Sequence, residues 1–535
     1  LPGIPIFVVI PNEVRNLSGF EIRKKEGFLT RRSGFGMMVF WIFLHSHHPS
    51  ARIAASAKFA IMILSDASGR VGVHPVYETS AINPAYLEDA SGFRGHAERL
   101  FLPENEQDVA EVLRRATRDA IPVTLSGAGT GVTGGRVPQG GWLLSLEKFS
   151  RLEIKQGTAF AGAGILLRDL QAAAAATRQF YAPDPTEMTA CVGGTIGTNA
   201  SGSRSFKYGA TRRHVLGLRV VLASGEILHV RRGQAAGFAV PSISIPRSTK
   251  HAAGYILAAG MDWVDLFVGS EGTLGVVTEA ELRLLSAPEA VLGGVIFFAN
   301  DADALDAVDD WRANATPRMI EYFDRPSLDL LRGRFPEIPS KAAAALLVEQ
   351  ELESEDDPET SRWLARIERT KALVDGSWFG TSNADRERFR LFRHALPELV
   401  NETLRLRDCL KMGSDCAVPV ERNREMLDFY CARLDEKFRG RYVIFGHIGD
   451  AHLHVNILPA KEESAEAAEI LLDFARKAVE FGGSVSAEHG LGKRKAHLLA
   501  IQYSPEEIEA MKAVKRRLDP SWILGRGTLF PEQAS

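Results

Sequence analysis

Cysteine is scarce in this chain: four residues in 535, Cys191, Cys409, Cys416 and Cys431, none of them in a Cys-x-x-Cys pair. That usage argues against a disulfide framework and an iron–sulfur cluster, and it fits a reducing, cytoplasmic compartment. Long apolar runs are missing as well. Met37-Met-Val-Phe-Trp-Ile-Phe-Leu44 is eight residues, against the roughly 20 that a membrane-spanning helix needs. Charge of one sign is not in excess either. A net charge of −3 gives no reason to expect nucleic acid or an anionic membrane as partner. What is left is an ordinary globular composition, 45% apolar and 24% charged, with length enough for two or three domains.

The first 75 residues begin with Leu1 and carry no clear helical or strand period. Residues 37–44 have the apolarity of a signal-peptide core, but His45 to Pro49 break the pattern and no small-residue cleavage site follows. A start assigned too far upstream is the preferred explanation, with Met62 the expected true start. The segment is expected to be poorly ordered.

From residue 86 the text becomes regular. Residues 104–116 space Val109, Leu113 and Ala116 as a helix would. An extended run at 121–125 then opens into Ser126-Gly-Ala-Gly-Thr-Gly-Val-Thr-Gly-Gly135, five glycines in nine residues from Gly127 to Gly135. Glycine at this density lets backbone N–H groups converge on one point, as a loop does around phosphate oxygens. Thr130 and Thr133 add hydroxyls. Read literally, Gly129-Thr-Gly-Val-Thr-Gly134 is a dinucleotide fingerprint, but that motif needs a helix directly after it. Arg136-Val-Pro-Gln-Gly-Gly141 and an apolar run at 142–146 follow instead. A Rossmann unit is rejected on that context.

Residues 143–146 and 153–161 read as strands and 166–177 as a helix. A second stretch rich in glycine and small residues follows, Pro183-Asp-Pro-Thr-Glu-Met-Thr-Ala-Cys-Val-Gly-Gly-Thr-Ile-Gly-Thr-Asn-Ala-Ser-Gly202, continuing to Lys207-Tyr-Gly209. A loop this long inside a compact domain is usually functional. Strands are expected at 215–222 and 227–230, and an exposed connection at 241–246. Leu266-Phe-Val-Gly-Ser-Glu-Gly-Thr-Leu-Gly-Val-Val-Thr-Glu279 reads as strand, glycine turn and strand, presenting Ser270, Glu271 and Thr273.

These three stretches, in this order, resemble the FAD-binding domain of the vanillyl-alcohol oxidase/p-cresol methylhydroxylase (PCMH-type) flavoproteins, over residues 85–285. The resemblance implies an α+β fold, a two-subdomain FAD-binding domain followed by a substrate domain. It implies that Ser126, Gly127, Ala128, Gly129, Thr130, Gly131 and Gly134 hold the FAD pyrophosphate. It further implies that the rest of the cofactor is lined by Pro183, Asp184, Gly193, Gly194, Thr195, Asn199, Ser201, Gly202, Tyr208, Gly209, Glu271, Gly272 and Val277. Some relatives bind flavin through a His or Cys. The glycine loop has neither, so non-covalent FAD is expected.

Past Pro288, residues 291–298, 319–323 and 342–350 read as strands, with helices at 301–311 and 361–374. The alternation suggests an α+β substrate domain, residues 288–530, with a largely antiparallel sheet. Within it lies Phe445-Gly-His-Ile-Gly-Asp-Ala-His-Leu-His-Val-Asn456, and Ser486-Ala-Glu-His-Gly-Leu-Gly492 some 30 residues later. In an extended segment His452, His454 and Asn456 share a face. The Gly-Asp turn after His447 folds that histidine back toward them. Imidazoles with one carboxylate are ligands for a divalent ion of the zinc or manganese kind.

These segments extend the resemblance to the metal-dependent D-2-hydroxyacid dehydrogenases: D-lactate dehydrogenase, the glycolate oxidase FAD subunit and D-2-hydroxyglutarate dehydrogenase. Their pattern Gly-His-x-Gly-Asp-Gly-Asn-Leu-His-x-Asn holds here, except that Ala451 and His452 replace Gly-Asn. The resemblance implies His447, His454 and Glu488 as metal ligands, with Asn456 near flavin or substrate. His452 either adds a ligand or alters substrate choice. It also implies that Arg393 and Lys411 bind the substrate carboxylate, a task suited to an Arg fork. His489, facing away from Glu488 if the chain is extended there, is the expected general base. The expected reaction is hydride transfer from a small 2-hydroxy acid to flavin N5, leaving the 2-oxo acid.

Residues 511–527 resemble the closing helix and turn of this family, and no cysteine-rich domain follows. Electrons are therefore expected to leave for an external acceptor, a quinone, cytochrome or electron-transfer flavoprotein. That leaves room for peripheral attachment at the inner face of a membrane. Two other readings compete: an alkylglycerone-phosphate synthase-like flavoenzyme, which gives no reason for the histidines, and a non-catalytic flavin subunit, which would tolerate their loss.

Overall fold

Short polar residues ahead of apolar-periodic runs set where the helices begin. Asn105, Asn300, Asp324, Ser382 and Ser504 each accept a first-turn N–H. They cap the helices Glu106–Arg118, Asp301–Asn314, Arg325–Leu331, Asn383–Leu406 and Pro505–Leu518. The computed structural model of the chain describes residues 82–354, 356–408 and 412–531, together with five strand segments before them. Most of the expectation for residues 1–75 lies outside the described residues. Within that unit Phe20–Thr30 and Gly36–Ser46 pair antiparallel, Phe20 opposite Ser46, so the apolar run at 37–44 is placed in a strand.

Residues from Val76 onward form a second unit built on three larger sheets. The first has the order Val76–Glu78, Arg99–Phe101, Trp142–Ser145, Val123–Ser126, the last three strands parallel. Helix Glu106–Arg118 makes the crossover, burying Val109, Leu113 and Ala116 as their spacing predicts. The second sheet is antiparallel, in the order Ile227–Arg231, Val215–Val221, Val276–Arg283, Thr158–Gly162, Leu152–Lys155. Residues 153–161 thus fold as a hairpin, because Gly157 takes a φ of +78° between the two strands. A second departure is at residues 263–267. The strand expected from Leu266 begins instead inside the short helix Trp263–Phe267, capped by Asp262, whose carboxylate accepts the N–H of Asp265.

The third sheet has seven strands, all antiparallel: Trp378–Gly380, Ala290–Phe298, Ala344–Leu352, Met319–Asp324, Tyr442–His447, His452–Ile457, Met412–Gly413. Its buried strands read as near-continuous apolar runs because helices cover them. Trp311 and Trp363 meet edge to face under two of these helices, centroids 5.3 Å apart. Such a pair adds about 0.5–1.5 kcal/mol to simple area burial. The fold is α+β, its larger sheets being one mixed and two antiparallel.

Candidate active site

Register places the histidines. In the hairpin of Tyr442–His447 and His452–Ile457, His447 faces His452 and Phe445 faces His454. Directly opposed residues share a sheet face, so all three imidazoles emerge on one side, with ring centroids 4.4–5.4 Å apart. The turn between the strands closes with Ala451 at a φ of +50°, a left-handed conformation that suits glycine better than alanine. The neighbouring strand pairs Tyr322 with Gly446, which brings Glu321 alongside His447. Glu321 accepts a hydrogen bond from His447 Nδ1.

Glu488 completes the group. One ligand atom each from His447, His452, His454 and Glu488 lie within 4.8 Å of one another. His447 Nε2 is 3.3 Å and His454 Nε2 is 3.8 Å from the Glu488 carboxylate. The condition that would turn His489 away from Glu488, an extended chain, is not met; the chain bends through residues 487–489. Asp415 enforces the bend, its Oδ2 accepting the Ser486 hydroxyl at 2.6 Å and the His489 amide at 3.0 Å. His489 is thereby folded back to stack on His454, centroids 5.7 Å apart, with its Nδ1 3.3 Å from Asp415 Oδ1.

The polar surroundings reach across both halves of the chain. Lys250, fully buried, donates to the Gly202 carbonyl at 2.8 Å and to Glu488 at 2.7 Å, and lies 3.4 Å from Asp450. Burial opposes its charge, but Glu488 and Asp450 outweigh burial and hold the ammonium pKa above its ordinary value. Burial likewise works against the Glu488 carboxylate; Lys250 and His447 overcome it and hold its pKa well below the usual range. Burial and the neighbouring imidazoles keep His454 strongly toward its neutral form. Burial also lowers the pKa of His489. Ser201 donates to Glu488 at 2.9 Å.

Arg393 sits on helix Asn383–Leu406, at the carbonyl that Pro397 deprives of its helical N–H partner. Its Nε pairs with Glu321 at 2.9 Å and its Nη1 donates to Thr186 at 3.0 Å. Glu321 thus joins Arg393 to His447. Lys411 lies outside the described residues.

The glycine loop is adjacent. Thr133 O accepts the amides of Lys493 and Arg494 at 3.1 and 3.0 Å, directly after Gly492. A Cβ on Gly492 would meet that carbonyl oxygen at 2.2 Å. Gly134 donates to Asp89 at 2.8 Å. The amides of residues 128–133 donate to no protein acceptor among the described residues. No helix follows the loop; strand Trp142–Ser145 does. The second stretch contains the short helices Val192–Gly197 and Ser205–Tyr208 rather than being all loop. It is joined to the third where Gly269 and Glu271 donate to Ile196 and Gly197 at 2.9 and 2.7 Å.

Residues 97–231 match the family described as FAD binding domain, and residues 287–529 match FAD linked oxidases, C-terminal domain. The chain is 32% identical over 473 residues to glycolate oxidase subunit GlcD of Bacillus subtilis strain 168, covering 85% of this chain and 94% of that protein. The chain belongs to the FAD-linked oxidases. It is 30% identical to a D-lactate dehydrogenase of Anaerostipes hadrus (84% and 93% covered) and 30% identical to a D-2-hydroxyglutarate dehydrogenase of Xanthomonas citri pv. viticola (81% and 89%). In fold it is similar to an alkyldihydroxyacetonephosphate synthase, with a TM-score of 0.60 at 17% identity, covering 82% of this chain and 77% of that one.

Within this FAD-linked oxidase, several residues expected to line the cofactor use their polar ends on the protein. Asp184 pairs with Arg204 at 3.0 Å, and the Tyr208 hydroxyl donates to Glu351. Asn199 donates to the His251 carbonyl and accepts from the Arg212 amide. Glu271 accepts the amides of Leu491 and Gly492 at 2.8 Å each. Thr195 bonds back to the Val192 carbonyl. Sequence reasoning missed Lys250, Glu321 and Asp415. A glutamate inside the apolar run 319–323 was the available signal for Glu321. No helix among the described residues is long and apolar enough to cross a membrane.

Proposed function

We propose that this FAD-linked oxidase converts a small 2-hydroxy acid, D-lactate-like, glycolate or D-2-hydroxyglutarate, to the 2-oxo acid, using non-covalent FAD and a divalent cation. The carrying observation is the convergence of His447, His454 and Glu488 beside the glycine loop. Both groups fit the residues present. The loop amides lacking protein acceptors suit a pyrophosphate. Asp450 Oδ2, 3.4 Å from Lys250, is buried with no hydrogen-bond partner, and three imidazoles converge on one carboxylate, which suits a site that takes a cation. His447, His454 and Glu488 would hold it, and imidazole with carboxylate favours zinc or manganese. When bound, FAD supplies the two-electron acceptor and the cation supplies Lewis-acid polarisation of the substrate oxygen.

The chain's own residues do the rest. Arg393 binds the substrate carboxylate; its Nη2 is free of protein acceptors among the described residues. Lys411 is its expected partner in that task. Asp415 fixes the His489 ring from the Nδ1 side, leaving Nε2 as a base for the hydroxyl proton. The lowered pKa of His489 keeps it neutral and able to accept that proton near pH 7. As the proton leaves, the Cα–H electron pair departs as hydride and the 2-oxo acid forms. Electrons pass on to an external quinone, cytochrome or electron-transfer flavoprotein. Cys191, Cys416 and Cys431, unpaired among the described residues, fit a cytoplasmic enzyme.

The test is dye-coupled turnover of the full chain with D-lactate, L-lactate, glycolate and D-2-hydroxyglutarate. Turnover of at least one acid, with the D enantiomer favoured where there are two, is expected. No turnover of any 2-hydroxy acid would sink the assignment.

A further inference from the structure

Resting on that reading of the cation site, we infer that His452 is a fourth protein ligand of the same cation and that Asp415 is the carboxylate that positions its ring. His452 is fully buried, and neither ring nitrogen makes a hydrogen bond. Buried polar groups are rarely left so. The same molecule shows what a merely packed histidine looks like. His251 is also buried, and its Nδ1 contacts the Ser484 hydroxyl at 2.8 Å while its Nε2 contacts the Tyr503 hydroxyl at 2.9 Å.

The arrangement around His452 parallels that around His447, with a carboxylate close to the far nitrogen in place of a hydrogen-bonded one. His447 turns Nε2 toward Glu488 and is backed on Nδ1 by the buried carboxylate of Glu321. His452 turns Nδ1 toward Glu488, at 3.8 Å, and is backed on Nε2 by the buried carboxylate of Asp415, at 3.2 Å. A carboxylate behind the far nitrogen is the usual support of a metal-bound imidazole, fixing its tautomer and its direction. Asp415 also orients His489, so one carboxylate serves both the fourth ligand and the base. A third imidazole shifts preference toward zinc and cobalt and away from manganese and magnesium.

The full chain carrying FAD, stripped of metal and reloaded with zinc or cobalt(II), provides the test. X-ray absorption counts imidazole ligands, and competition with a chromophoric chelator gives the affinity; neither needs turnover. Three imidazoles are expected in the unaltered protein and two in His452→Asn, with zinc held at least about 10-fold more weakly by the variant. Asp415→Asn is expected to keep three imidazoles and lose about 10–100-fold in affinity. Retained flavin and a single cooperative melting transition show that each variant is folded. His452→Gln repeats the test if His452→Asn is not. Two imidazoles in the unaltered protein, or equal zinc affinity with and without His452, overturn the inference while leaving the cation site standing. No metal binding by the unaltered protein overturns both.

Discussion

The ammonium of Lys250 lies 2.7 Å from Oε1 of Glu488, with the lysine side chain 1% and the glutamate 11% exposed. The pair joins residues 238 positions apart, one from the first half of the chain and the other from the histidine site. Removing one member of a buried pair leaves the other charge without compensation. Lys250→Met is therefore expected to destabilise the metal-free protein by about 3 kcal/mol. Added zinc, itself a counter-charge for Glu488, should recover much of that loss. Denaturant unfolding with and without zinc measures both, and a variant as stable as the parent would remove Lys250 from the account.

Arg393→Lys keeps a cation against Glu321 but loses the planar fork. A charged hydrogen bond to a carboxylate contributes about 1.5–3 kcal/mol, so kcat/KM is expected to drop about 10–100-fold, mostly through KM. Steady-state kinetics check this. An unchanged KM with a collapsed kcat would mean that Arg393 does not bind the carboxylate.

Glu271, which accepts the Leu491 and Gly492 amides, gives a pH prediction. Burial pushes its carboxyl up from 4.5 to about 7, against the two amides that stabilise the anion. Between those values the folded chain holds a proton that the unfolded chain has released. Its contribution to stability is therefore complete below about 4.5 and lost as pH rises through about 7. Asp324, also pushed up to about 7 by burial, acts in the same direction. The melting temperature of Glu271→Gln should be lower at pH 5 but less dependent on pH between 5 and 7.5. An identical slope in parent and variant would contradict this.

At the hairpin turn, Ala451 holds a left-handed φ of +50°. Such backbone costs an alanine about 1 kcal/mol that glycine does not incur. Ala451→Gly is expected to stabilise the protein by about that amount in denaturant titration, with its flavin spectrum unaltered. A destabilised variant would show that the alanine methyl packs to a net advantage.

Local pattern made much of this legible. The spacing of Val109, Leu113 and Ala116 gave a helix, and alternation at 452–456 put His452 and His454 on one face. What periodicity could not reach was set by long-range contact. Residues 487–489 bend because Asp415, over 70 positions earlier, holds the His489 amide. Trp263–Phe267 is helical through a cap on Asp262, although its apolar residues read equally well as a strand. Glu321 and Lys250 gain meaning only from partners on other elements. Glu271 lies in a glycine turn that reads as facing a ligand; that its carboxylate grips the Leu491 and Gly492 amides was set by residues 220 or more positions away.

The most direct measurement is the visible spectrum of the purified protein during anaerobic addition of D-lactate, glycolate and D-2-hydroxyglutarate in turn, with and without a metal chelator. The account predicts a bound flavin that at least one of these acids bleaches, and that the chelator protects from bleaching. A flavin that none of them bleaches, or one bleached equally well after chelation, would contradict it.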